Sequence, residues 1–122
     1  MQILQCCVLR RCPQSYVNWT GENEVESLLK ITDIANKAKA DVFVSIHINA
    51  TESTALGGTM TFVLTGSTTE TRLKESNLLA KKVQGELVRG LGLKDMGVRN
   101  ANFAVLRTTK MPAVLCELDG RK

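Results

Sequence analysis

One histidine in 122 residues, and aromatic side chains at only 4%, are the first things this sequence is short of. Few aromatics leave little material for the stacking platforms that hold single-stranded nucleic acid. No run approaches the 18 or more apolar residues of a membrane span. The start, Met1-Gln2-Ile3-Leu4-Gln5-Cys6-Cys7-Val8-Leu9-Arg10-Arg11, lacks the n-region, long h-region and small-residue cleavage site of a signal peptide. No block of five or six like charges occurs. The net charge of +4 and pI near 9.0 therefore suit an anionic polymer or surface without requiring one. Internal repeats and low-complexity tracts are missing too. The four cysteines, Cys6, Cys7, Cys12 and Cys116, follow no zinc or redox spacing. Three of them read as unpaired thiols near the start, and Cys116 as a small packing hydrophobe. Nothing here demands an oxidising compartment.

What remains is ordinary globular material, 43% hydrophobic and 23% charged, enough for one domain with a real core. Residues 1–21 hold no sustained period, and Pro13, Asn18, Thr20 and Gly21 mark turns, so this stretch is expected to be an irregular leader. The domain is expected to occupy residues 22–122. From about 22 to 38, Leu28, Leu29, Ile31, Ile34, Ala35 and Ala38 recur at helical spacing. Glu22, Glu24 and Glu26 stand near the start of that helix and Lys37 and Lys39 near its end, as the helix dipole prefers. A strand follows over 41–47, then loop, then a second strand over 58–64. The clearest helix spans 70–91, with Leu73, Ser76, Ala80, Val83, Leu87 and Leu91 on one face and Gly90 and Gly92 as its stop. A last strand over 113–117 enters behind Met111-Pro112. This alternation predicts an α/β domain.

The richest segment is Ala40-Asp41-Val42-Phe43-Val44-Ser45-Ile46-His47-Ile48-Asn49-Ala50. Its apolar core reads as a buried parallel strand that delivers the lone histidine to a loop at its carboxyl end. In open α/β sheets that is where ligand and catalytic groups gather. An imidazole there can bind a metal, move a proton, or simply pack, and packing is the commoner outcome. Ser45 and Asn49 share its side of an extended chain. Asn49 could orient a substrate amide or merely turn the chain. Ala113-Val114-Leu115-Cys116-Glu117 ends the same way on a carboxylate. Partial desolvation would raise its pKa toward that of a useful general base; if the strand simply ends there, it meets water instead.

Whole motifs narrow the choice. Ile34-Ala35-Asn36, the Ala40–Ala50 segment, Gly97-Val98-Arg99, Phe103-Ala104-Val105-Leu106-Arg107 and Met111-Pro112-Ala113-Val114-Leu115-Cys116-Glu117 occur in one order. Together, over roughly residues 27 to 117, they closely resemble the zinc-dependent N-acetylmuramoyl-L-alanine amidases, bacterial cell-wall hydrolases of the amidase-3 family. The resemblance implies a mixed, largely parallel sheet flanked by helices, with one zinc ion at the strand ends. His47 matches a zinc ligand and Glu117 the catalytic glutamate. The implied reaction is hydrolysis of the amide between N-acetylmuramic acid and L-alanine of peptidoglycan, at the bacterial cell wall, outside or in the periplasm. Asn49, Arg99 and Arg107, with Asn100, are candidates for contacting stem-peptide carboxylates or glycan.

The family carries two further zinc ligands upstream, a histidine ending the first strand and a glutamate in the helix region after it. This sequence has no second histidine. Glu22, Glu24 and Glu26 come too late in the family order, and the family's Gly-Phe pair and last helix do not follow Glu117. The expectation is therefore a domain shortened at both ends, with impaired hydrolysis. The alternative is an inactive peptidoglycan-binding or regulatory remnant. A nucleic-acid-binding domain rests on the basic pI alone.

Overall fold

The computed structural model describes residues 2–8, 18–19, 32–49, 58–66 and 68–119. In chain order these form β1 (Gln2–Val8), β2 (Asn18–Trp19), a helix over 32–37 (α1), β3 (Val42–Asn49) and β4 (Gly58–Leu64). Then come α2 (Glu70–Leu91), β5 (Lys94–Ala101), α3 (Ala104–Thr108) and β6 (Ala113–Asp119). The strands make one six-stranded sheet in the order β2-β1-β3-β6-β4-β5. The mixed α/β class stands as expected. The parallel share is smaller than anticipated: among the described residues β3–β6 and β4–β5 are parallel, and β1–β2, β1–β3 and β4–β6 antiparallel.

Local chemistry explains the element boundaries. Thr69 caps α2, its hydroxyl accepting from the Arg72 backbone N–H at 3.2 Å, and Glu70 occupies the first turn. The helix stops at Gly92, whose left-handed φ of 64° lets its N–H reach the Val88 carbonyl. The expected spans of α2 and β4 are observed residue for residue. Of the first expected helix, residues 32–37 are helical; residues 22–31, with Glu22, Glu24 and Glu26, lie outside the described residues. Asn36 ties α1 to the end of α3, on the same face of the sheet: its Nδ2 donates to the Thr108 carbonyl at 2.8 Å and its Oδ1 accepts from Lys110 N–H at 2.8 Å.

Two apolar layers sandwich the sheet. On one face Phe43, Leu115 and Phe62 pack with Ala35, Val105 and Leu106 of α1 and α3. On the other, Val63, Val114 and Cys116 meet Ala80 of α2, with Val44, Leu79 and Val83 partly buried beside them. Phe43, wholly buried, contributes up to about 3 kcal/mol by area. The deeply buried α2 residues are Ser76, Ala80 and Gln84, spaced by four, and the small side chains of Ser76 and Ala80 bring the helix axis close to the strands. Leu91, expected on this face, is 51% exposed because the helix has by then passed the end of the sheet's apolar layer.

The expectation of an irregular leader over 1–21 is corrected in part. Residues 2–8 form β1, which pairs antiparallel with β3 from Gln2↔Ile48 to Val8↔Val42. Residues 18–19 add β2 at its edge. Their sequence carries no clean alternation. Backbone pairing with a neighbouring strand, a non-local contact, is what makes them strands. The same holds for β5, whose Lys94-Asp95-Met96-Gly97 opening reads poorly as a strand yet pairs along β4.

Candidate active site at the ends of β3 and β6

β3 and β6 run parallel and in register, with His47 directly beside Glu117 and Ser45 beside Leu115. Neighbours in register share a face, about 4.8 Å apart along the hydrogen-bonding direction. His47 and Glu117 accordingly project on the α1/α3 face, beyond the apolar row of Phe43 and Leu115. His47 Nδ1 stands 3.8 Å from Glu117 Oε1, and the two side chains are 12% and 23% exposed. That distance is electrostatic contact, longer than a good hydrogen bond. The antiparallel neighbour of Glu117 on its other side is Met60 of β4, which brings no charge.

Burial pushes the Glu117 carboxyl above its ordinary pKa, because desolvation penalises the charged form. Its Oε2 is buried and finds no hydrogen-bond partner among the described residues. A carboxylate so placed has high proton affinity and one oxygen uncommitted, which is what a general base needs. Below it on the same face, Ser45 is fully buried, and its Oγ also finds no partner among the described residues. On the opposite face of the sheet, the Cys116 thiol is pushed up to about 11 by burial and packs as the expected small hydrophobe.

The other expected site residues are scattered. Asn49 ends β3 opposite Asp119, continuing the His47–Glu117 register. Arg99 stands on β5 beside Phe62, itself opposite Leu115, so it lies on the site's face two positions farther from the strand ends. Its Nε donates to the Met96 carbonyl at 3.3 Å, and the side chain is exposed. Asn100, exposed, pairs with Val63 one position on. Arg107 is at the wrong end. β4 runs antiparallel to β6, so Leu64 and α3 lie where β6 begins, and Arg107 bonds to Asn102 O and Oδ1 at 3.1 and 3.0 Å there. It lines a separate cavity of about 350 Å³ with Leu64, Thr65, Gly66 and Asn102. Among the described side chains, the expected pair brought into contact is His47 and Glu117.

Sequence reasoning missed Thr59, whose hydroxyl donates to the Glu117 backbone carbonyl at 3.1 Å. No local signal marks it; the contact exists only through the β4–β6 register. Among the described residues no group of three His, Cys, Asp or Glu side chains could hold a metal ion. Toward zinc they offer one imidazole, where catalytic zinc sites take three protein ligands. By themselves they do not fit the ion.

Comparison with known proteins gives the site a context. Residues 8–119 match the family described as N-acetylmuramoyl-L-alanine amidase. The chain is 40% identical over 111 residues to an uncharacterized cell wall amidase of Bacillus anthracis, covering 84% of this chain and 21% of that protein. It is 38% identical over 91 residues to the N-acetylmuramoyl-L-alanine amidase LytC of Bacillus subtilis, covering 75% and 18%. Among solved structures, an N-acetylmuramoyl-L-alanine amidase from Clostridium difficile 630 superposes with a TM-score of 0.60 at 37% identity, over 72% of this chain and 46% of that one. The chain thus spans about a fifth of the length of these two curated relatives.

Proposed function

Since this chain belongs to the N-acetylmuramoyl-L-alanine amidase family, we propose that it hydrolyses the amide joining the lactyl group of N-acetylmuramic acid to L-alanine in bacterial peptidoglycan. The observation that carries the reading is the His47–Glu117 pair, side by side on one face two residues before two parallel strands end. Glu117 takes a proton from the attacking water and returns it to the departing α-amine of L-alanine, one group serving as base and then acid. Its raised proton affinity suits both halves of that exchange. His47 lies beside Glu117, and its imidazole would serve as one ligand of a zinc ion. Zinc, where bound, supplies a Lewis acid for the carbonyl and a more acidic water. Peptidoglycan as substrate and the bacterial cell wall as place of action belong to the same proposal. No helix among the described residues is long and apolar enough to cross a membrane.

A second reading, a peptidoglycan-binding remnant without hydrolysis, is favoured by one observation: the described residues supply no three-donor metal site. Purified peptidoglycan incubated with the 122-residue chain separates the two. Mass spectrometry should find released stem peptides with free L-alanine amino termini, and Glu117→Gln should lower their yield about 100-fold or more. Sedimentation with peptidoglycan but no released peptide, with or without added zinc, would establish the remnant instead. Calorimetric zinc titration of the parent and His47→Ala chains tests the ligand assignment: whatever zinc the parent binds should be bound more weakly by the variant, and equal binding by both removes His47 as a ligand.

A further inference from the structure

On the face of β4 turned away from His47 lie Thr59 and Thr61, both with no exposed surface. Facing them from α2 is Gln84, 4% exposed. Every hydrogen-bonding group of its amide is engaged. Nε2 donates to the Thr59 carbonyl at 2.7 Å and to Asp95 Oδ1 at 2.8 Å, while Oε1 accepts from Thr61 Oγ1 at 2.8 Å. Thr59 then passes the connection through the sheet, its Oγ1 donating to the carbonyl oxygen of Glu117. Such a buried network is costly unless complete, and when complete it fixes one arrangement of the groups it joins. One step along the same face of β4 the position is plain Val63. Polarity is concentrated beneath the site.

The location is also where regular sheet bonding thins. Thr59↔Leu118 is the last pair of the β4–β6 ladder, and the β4–β5 register shifts between Thr59 and Thr61. The β3–β6 ladder continues past Glu117 to Asn49↔Asp119, so the side facing β4, one pair from that ladder's end, is where its peptide has fewest restraints. Rotation of the Glu117 peptide swings its Cα–Cβ bond and carries the carboxylate with it. We propose that Thr59, braced by Gln84, is a positioning residue that holds the Glu117 peptide plane and thereby aims its carboxylate at the reacting water. This rests on the reading of Glu117 as the general base, for which displacements of an ångström cost heavily in rate.

The test compares Thr59→Val, which keeps shape and removes the hydroxyl, with Thr59→Ser, which keeps the hydroxyl. Val63→Ala serves as a control that disturbs the same layer outside the network. Steady-state hydrolysis of soluble muropeptides and the carbonyl and carboxyl ¹³C shifts of Glu117 at fixed pH are measured on the full chain. Thr59→Val should lower kcat about tenfold with KM unchanged and move the Glu117 shifts. Thr59→Ser should stay within about twofold of the parent in kcat, and Val63→Ala should leave the Glu117 shifts in place. If Thr59→Val does not fold, Gln84→Met, which releases the Thr59 carbonyl at similar volume, carries the same comparison. Unmoved shifts in Thr59→Val, or an equal kcat loss in Val63→Ala, overturn the proposal. Should the parent release no product at all, the hydrolase reading fails, and the ¹³C comparison alone decides whether Thr59 orients Glu117.

Discussion

Arg72, in the first turn of α2, holds three acceptors with one half-buried guanidinium and so offers a large stability effect. Its Nε donates to the Met111 carbonyl at 2.9 Å, and Nη2 donates to Leu106 O at 2.8 Å and Thr109 Oγ1 at 2.9 Å. The Thr109 hydroxyl in turn donates to Val105 O at 2.9 Å. One guanidinium thus satisfies the end of α3 and the turn that leads into β6. Burial lowers its pKa, but an arginine so placed stays protonated at any working pH. Bonds from a charged donor to half-buried acceptors are each worth about 1.5 kcal/mol at the low end. Water recovers part of that at the open side, so Arg72→Met should cost about 3 kcal/mol overall. For a chain of this length each kcal/mol moves Tm by about 4 °C, giving a fall of roughly 12 °C. Arg72→Lys keeps the charge but cannot span three acceptors and should lose about half as much. Breaking the exposed Lys74–Glu70 pair with Lys74→Gln should cost under about 0.5 kcal/mol, since that pair sits in water. Urea and thermal denaturation followed by circular dichroism read all three. An Arg72→Met chain within about 0.5 kcal/mol of the parent refutes the argument.

Other consequences follow from the same geometry. The Gln84 amide and the Gly97 N–H hold the Asp95 carboxyl below its ordinary range, so Asp95 contributes stability above its unfolded pKa and loses it as pH falls through the folded one. In Gln84→Leu the Asp95 titration, followed by NMR, should move back up; an unchanged titration contradicts the assignment. Glu117 has the opposite sign. Its raised pKa favours the protonated form in the fold, so its contribution is full below the unfolded value and is lost as pH rises through the folded one. As a base it must be ionised, so the acid limb of a kcat/KM profile should fall above the ordinary carboxylate range and vanish with Glu117→Gln. Cys116, buried with its thiol near 11, should react with iodoacetamide in mildly alkaline buffer at least about tenfold more slowly than in urea, as mapped by peptide mass. Gly58→Ala would place a Cβ 2.8 Å from the Lys94 carbonyl and 2.7 Å from Met96 Cγ. The methionine can yield and the backbone cannot, so a loss of about 1–3 kcal/mol in urea denaturation is expected.

Local chemistry is enough to set α2 from Glu70 to Leu91, because a threonine cap, an apolar stripe and a left-handed glycine all act within a few residues of one another. The same is true of β4; β3 and β6 were placed too, but each runs two residues past its expected end at His47 and Glu117, to Asn49 and Asp119. The chemistry of those two residue types was legible, and so was the family, because motifs in a fixed order survive without coordinates. Their meeting was not. Two side chains 70 positions apart share a row only because β3 and β6 are parallel and in register, and a slip of one residue would have turned one of them to the opposite face. Tertiary structure alone also separated Arg107 from the site, since β4 reverses direction and carries α3 to the far end of the strands. It alone made β1 and β5 strands, by supplying partners for backbones with little alternation of their own. And it buried Gln84, by gathering Thr59, Thr61 and Asp95 around its amide. Short-range sterics and capping are written along the chain, while register and strand direction arise only when distant segments bury their apolar faces together.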